Sequence, residues 1–337
     1  MLKTPSGLTT SSMPSSASRS AVRNSGVPGS ACFSATGTVA CSQFRAVQAV
    51  EPNSERVPAP YWPSFPDIVR VNDGTPVIVD CGIEQGFKLT PAALQAAITP
   101  RTRWLVLNTP GNPSGAVYSR EELAALAQVL RLHPQVLVLL DELYEHIWFT
   151  PQAPAHWLAV APDLRERTLL VNGVSKTYAM TGWRIGYGAG PRELIGAMAK
   201  LQSQSTSNPC SVSQYAALAA LQGPQDYVAE SRAVFQRRRD LVVAGLNACP
   251  GIECPVPEGA FYVYPSIKAL IGKTSAGGTP ITDDEAFATA LLDETGVAVV
   301  FGAAFGLSPH FRISYATADA VLDDACARIK GFCEGLR

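Results

Sequence analysis

From about Pro58 onward, short apolar runs alternate with stretches whose apolar residues recur at helical spacing. Phe65–Val71 reads as a short helix ended by Asn72-Asp73-Gly74, and Pro76–Val79 as a strand. Thr90 is placed to cap a helix over Pro91–Ile98, whose proline falls in the first turn, where a missing N–H costs nothing. Trp104–Leu107 has the length of a buried strand. Ser119 and Glu122 have capping-box spacing, and Leu123, Leu126, Ala127 and Leu130 follow on one helical face. Val136–Leu140 and Leu169–Val171 are two more continuous apolar runs. Apolar strands separated by amphipathic helices predict a parallel sheet covered on both faces.

Further helices are expected over Pro191–Leu201, Ser213–Leu221 and Asp226–Asn247. Ala260–Tyr264, Val297–Val300 and Arg312–Tyr315 read as strands. A closing helix from about Asp319 would bury Leu322, Cys326, Ile329 and Phe332. The predicted class is α/β: a mainly parallel sheet sandwiched by helices over residues 58–225, with a smaller α+β domain over 226–337.

Residues 1–50 have another texture: no Asp or Glu, eleven Ser, and only Lys3, Arg19, Arg23 and Arg45 as basic residues. No helical or strand period persists there. An organellar transit peptide and a non-native lead-in, such as a shifted reading frame, are the two readings. Both predict disorder over residues 1–57. The compartment expected is the cytoplasm, or an organelle if residues 1–50 are a transit peptide.

The formal net charge of -1 gives no bulk attraction to nucleic acid or anionic membranes. No apolar run approaches the roughly 20 residues of a membrane span. The eight cysteines form no CxxC pair and histidine is scarce, so no metal site is expected. Scattered cysteines read as small buried apolar residues.

Ligands of open α/β sheets bind beyond the carboxyl ends of the strands, so the residues that follow each run carry the chemistry. Asn108-Thr109-Pro110-Gly111-Asn112-Pro113-Ser114-Gly115 follows the Trp104 run, and Asp141-Glu142-Leu143-Tyr144 follows the Val136 run. Asn172-Gly173-Val174-Ser175-Lys176 follows the Leu169 run, with Thr181-Gly182-Trp183-Arg184 close behind. Each has a plain alternative: Asp141 as a helix cap, Arg184 as a structural ion pair, Asn112–Gly115 as a turn, Lys176 as a surface residue. His146 reads as a packed or supporting residue. Together, an amide, a carboxylate with a phenol, and an amine at one sheet edge suit a cofactor with an aldehyde, a ring nitrogen, a ring oxygen and a phosphate.

Five ordered segments carry a resemblance: Pro58–Trp62, Asn112–Gly115, Asp141–His146, Ser175-Lys176 with Thr181–Tyr187, and Phe311–Ala316. In order and spacing they are similar to the class I aspartate aminotransferase family, fold type I enzymes that use pyridoxal 5'-phosphate. The resemblance covers Pro58 to the C-terminus. It implies that Lys176 holds the cofactor covalently and shuttles the proton, and that Asp141 pairs with the pyridine nitrogen. Tyr144 and Asn112 would bond the ring oxygen, Trp62 would stack on the ring, and Ser175 and Arg184 would bind the phosphate. Arg312 would clamp the substrate carboxylate, with Asn112 beside it. The implied reaction is ping-pong amino transfer between an aspartate-like or broad amino acid and a 2-oxo acid, in a homodimer.

The family places a longer segment before the Pro-x-Tyr-Trp motif, including a Gly-rich turn at the cofactor phosphate and the first strand and helix of the large domain. Residues 1–57 carry no such pattern, so an incomplete large domain with an uncovered edge strand is expected. Two further readings stay open: a truncated, non-catalytic protein, and a lyase or decarboxylase using the same cofactor site. A transcriptional regulator is disfavoured, since no helix-turn-helix precedes the match.

Overall fold

The computed structural model describes residues 31–35, as backbone, and residues 53–337. Their strands are β1 (Ala31–Ala35), β2 (Ser54–Ala59), β3 (Thr75–Asp80), β4 (Thr102–Asn108), β5 (Leu137–Asp141), β6 (Thr168–Gly173), β7 (Gly186–Gly190), β8 (Tyr262–Val263), β9 (Val300–Phe301) and β10 (Phe311–Ser314). The helices are α1 (Ser64–Val71), α2 (Pro91–Ala97), α3 (Arg120–Arg131), α4 (Trp157–Val160), α5 (Arg192–Gln204), α6 (Ser211–Gln222), α7 (Asp226–Asn247), α8 (Asp284–Thr295) and α9 (Asp319–Gly335).

Among the described residues β1 to β7 form one sheet in the order β1-β7-β6-β5-β4-β2-β3. Strands β2 to β6 are parallel, whereas β7 runs antiparallel to β6 and to β1. Alternation along β4 and β5 divides the core. Leu105, Leu107, Val138 and Leu140 pack with Leu94 of α2, Leu123, Leu126 and Leu130 of α3, and Trp157 of α4. Trp104, Val106 and Leu139 face the other way, toward Phe65 of α1 and Ile195 and Met198 of α5. The helices following β2 and β4 thus lie on opposite faces, so the adjacent carboxyl ends of these strands form a topological switch point.

Local signals explain most of these elements. Thr90 caps α2 by accepting from the Ala93 N–H, and Ser119 with Glu122 makes both bonds of a capping box at α3. The closing helix α9 buries Leu322, Cys326, Ile329 and Phe332, as its period predicts. β8 to β10 form a small antiparallel sheet, and its core includes Val242, Val243 and Leu246 from the last turns of α7. Two of its strands are shorter than expected or shifted: β8 keeps only Tyr262 and Val263 of Ala260–Tyr264, and β9 starts at the last residue of Val297–Val300.

The stretch expected to lack structure contributes two strands. β1 lies along the edge of β7, and β2 begins at Ser54, four residues ahead of the boundary expected at Pro58. The expectation for the rest of residues 1–57 falls outside the described residues. Neither strand carries a buried-strand signature. β1 pairs through its backbone with the Gly-rich β7, and β2 opens with Ser54-Glu55-Arg56, polar residues that lie buried between β3 and β4. Of the described cysteines, Cys81, Cys249, Cys254, Cys326 and Cys333 are buried, but Cys210 is exposed. No helix among the described residues is long and apolar enough to cross a membrane.

Candidate active site

Register places the carboxyl ends of three strands side by side: Asn108 opposite Asp141, and Asp141 opposite Val171. The loops leaving them, with the turn after β2 and strand β10, enclose a cavity of about 430 Å³. Trp62, Asn112, Asp141, Tyr144, Ser175, Lys176, Arg184 and Arg312 all line it. These eight residues therefore reach one space, although Asn112 and Arg312 are 200 residues apart.

Backbone and side-chain bonds hold the groups in place. Asn108 accepts the Asn112 N–H at 2.8 Å and donates through Nδ2 to the Asp141 carbonyl at 3.1 Å, which ties the β4 loop to β5. The Asp141 carboxylate accepts the Leu143 N–H at 3.0 Å. Arg312 Nη1 donates to Asn112 Oδ1 at 2.9 Å, its guanidinium lies 4.6 Å from the Tyr262 ring and 4.8 Å from that of Phe305, and its Nε has no partner. That leaves one buried donor of the guanidinium fork without a protein partner. Gly115, at φ 68°, accepts the Gly259 N–H at 2.8 Å; a Cβ at Gly115 would run into the Gly259 carbonyl. This contact fastens the Asn112 loop to the segment that leads into β8.

The electrostatics are those of a partly dehydrated polar site. Burial pushes the Asp141 carboxyl up to about 6, against the pull of the Leu143 N–H and the Lys176 charge. Burial also lowers the Lys176 ammonium, with help from the Arg312 and Arg184 charges, and Asp141 opposes them. A cation beside Asp141 would restore its carboxylate, and Lys176 is poised to lose its proton more easily than a surface lysine.

Some residues behave otherwise than as plain members of the cluster. Arg184 is exposed, takes a left-handed backbone at φ 52°, and donates to the Thr181 carbonyl at 2.8 Å. Trp62 is 38% exposed and meets Phe65 edge-on. His146 pairs with Glu145 at 3.1 Å on the solvent side and does not line the cavity. Among the polar lining residues, Glu55 and Tyr262 were not foreseen. Tyr262 follows Phe261 within a run read only as a strand, and Glu55 lay ahead of the expected domain boundary.

This fold is that of the class I and II aminotransferases, a family that uses pyridoxal phosphate. The family's sequence profile, described as aminotransferase class I and II, matches residues 30–329, and the chain is a member: a transaminase. It is 64% identical over 291 residues to the aspartate/prephenate aminotransferase of Cereibacter sphaeroides (strain ATCC 17029 / ATH 2.4.9), covering 86% of this chain and 73% of that protein. The crystal structure of the aspartate aminotransferase from Rhizobium meliloti superposes with a TM-score of 0.87 at 50% identity, over 91% of this chain and 77% of that one. An aromatic aminotransferase from Pyrococcus horikoshii OT3 superposes at 0.82 with 33% identity, over 90% of this chain and 80% of that one.

Proposed function

We propose that the cavity binds pyridoxal phosphate and carries ping-pong amino transfer between an aspartate-like or broad amino acid and a 2-oxo acid. The observation that carries this reading is the meeting of Lys176, Asp141 and Arg312 around one buried space. When bound, the cofactor supplies an electron sink that makes the Cα–H of an amino acid removable. The residues would divide the remaining work. Lys176 anchors the cofactor through Nζ and, once displaced by the substrate amine, moves the Cα proton, a task its lowered proton affinity suits.

Asp141 keeps a proton on the ring nitrogen by charge pairing. Tyr144 and Asn112 donate to the ring oxygen, and Trp62 covers the ring. Ser175 and Arg184 hold the phosphate, a charge-assisted role that fits a serine hydroxyl beside a guanidinium. Arg312 orients the substrate through its carboxylate. A second copy of the chain would cover the apolar face of α6 and the start of α7, where Val212 is 64% and Tyr215 58% exposed, with Leu221 and Tyr227 beside them.

The relatives differ in named substrate, aspartate and prephenate for one and aromatic for another, so the acidic preference rests on the higher-identity relatives. One observation favours a second reading, cofactor binding without turnover: β2 buries the carboxyl of Glu55 in the cavity lining, with a buried Arg56 next to it in the chain. A single sample decides. Purified protein with added pyridoxal phosphate is first followed by absorbance as aspartate or glutamate is added, and an aliquot withdrawn before that addition is reduced with borohydride and mapped. Label on the Lys176 peptide and a spectral change with amino acid support transfer. Label without the change favours the second reading, and label spread over surface lysines sinks both.

A further inference from the structure

Tyr262 joins the two halves of the cavity. It lies on β8 opposite Ser314, two residues beyond Arg312 on β10, so its ring sits diagonal to Arg312 on the same face. The guanidinium lies 4.6 Å from its centroid, and its hydroxyl is 2.9 Å from that of Tyr144. Both phenols are buried. Each carries one proton, so only one of them donates in this contact. If Tyr144 donates to Tyr262, no proton remains on Tyr144 for a ligand. If Tyr262 donates, the Tyr144 proton is free to face the cavity.

The surroundings choose between these arrangements. Arg312 places a cation against the Tyr262 ring, which eases release of the Tyr262 proton. Burial raises both phenols and the Arg312 charge opposes it at both, but the guanidinium lies against the Tyr262 ring, which leaves Tyr262 the better donor. We propose that Tyr262 is a positioning residue: it donates to the Tyr144 oxygen and so turns the Tyr144 proton toward the ring oxygen of the cofactor. The inference rests on reading the cavity as a pyridoxal phosphate site. It gives both ring-oxygen donors a tie to Arg312, Asn112 by a direct bond and Tyr144 through Tyr262.

The test is a double-mutant cycle on cofactor-free full-length chain. Wild type, Y262F, Y144F and Y144F/Y262F are titrated with pyridoxal 5'-phosphate by fluorescence, with a thermal melt of each. The pH midpoint of the visible band is then read on the loaded proteins. Loss of one donated bond predicts affinity roughly two- to ten-fold weaker in Y262F. Its band midpoint should rise, and the double variant should bind no more weakly than Y144F, because Tyr262 acts through Tyr144. Multiplicative losses, or Y262F affinity and midpoint equal to wild type, would overturn the proposal. So would a lowered melt with unchanged affinity, which makes the pair merely structural. Absence of saturable binding by wild type would instead remove the cofactor reading, and this inference with it.

Discussion

β5 and β2 lie on either side of β4, and each buries a carboxylic acid. In β5 the acid is Asp141, the last residue of Leu-Val-Leu-Leu-Asp, where the strand meets the cavity. It accepts a backbone N–H and has the Lys176 charge nearby, so its rise stops at about 6. In β2 the acid is Glu55, the second residue of Ser-Glu-Arg-Val-Pro-Ala, which lies between β3 and β4 and also lines the cavity. Burial alone acts on it and pushes it up to about 7. Its neighbour Arg56 is 2% exposed and leaves Nη1 without a partner. Both acids reach the cavity, but only the one at the strand's end has a donated N–H and a nearby cation to favour its charge.

Substitutions at both places sharpen this contrast. The largest effect is expected at Lys176: K176A should cut amino transfer by about 10²–10⁴-fold and abolish borohydride labelling of that peptide, while the melt stays near wild type. Labelling that persists elsewhere in the cavity would break the assignment. For Glu55 the sign follows from linkage. Its folded value near 7 lies above the ordinary 4.5, so the native state binds the extra proton between these values. Its contribution to stability is full below about pH 4.5 and is lost as pH rises through 7, by about 3 kcal/mol. Urea unfolding of E55Q against wild type at pH 5 and pH 8 should show the variant gaining relative stability at the higher pH. Parallel curves would mean that Glu55 is not dehydrated.

Arg312→Lys keeps the charge but loses the fork, so kcat/KM should fall by about 10- to 100-fold, equivalent to 1.5–3 kcal/mol. Steady-state kinetics with the proposed dicarboxylic substrates read this directly, and an unchanged value would move the carboxylate site elsewhere. The smallest effect lies remote from the cavity. S119A removes the capping box of α3 and should cost about 1 kcal/mol of stability with amino transfer unchanged.

Where side chains alone set an element, the sequence was readable. α3 announces itself through Ser119, Glu122 and its Leu stripe, and α7 has the predicted bounds Asp226–Asn247. Asn112, Asp141, Ser175 and Lys176 were legible because each follows an apolar run at its carboxyl end, which a parallel sheet gathers to one edge, whereas Trp62 and Arg312 were legible only through the family resemblance. β7 was not read, because Gly186-Tyr187-Gly188-Ala189-Gly190 has no apolar run. Its glycines answer a backbone need: a Cβ on Gly190 would stand 3.1 Å from the Thr168 carbonyl of β6. α8 had its signal in Asp283, which accepts the Ala286 N–H, and in buried Phe287, Ala290 and Leu291, but a short Ala-rich pattern was passed over. β2 was missed for the opposite reason, because Glu55 and Arg56 contradict a buried strand. Tyr262 could not be assigned from sequence at all, since its place depends on a pairing between β8 and β10 fifty residues apart.

The contacts around Arg312 also bear on how fast and how firmly a small acid could be held. A free arginine side chain surrenders about 2 kcal/mol of rotamer freedom when it is fixed. Here Asn112 and the rings of Tyr262 and Phe305 already restrict it, so that loss is incurred during folding. An arriving carboxylate meets a guanidinium whose Nε is already buried and unpartnered, so its own water is the main layer to shed. A ligand as small as a four-carbon acid, with few atoms from which to draw affinity, gains most from a receptor that is ordered before it arrives.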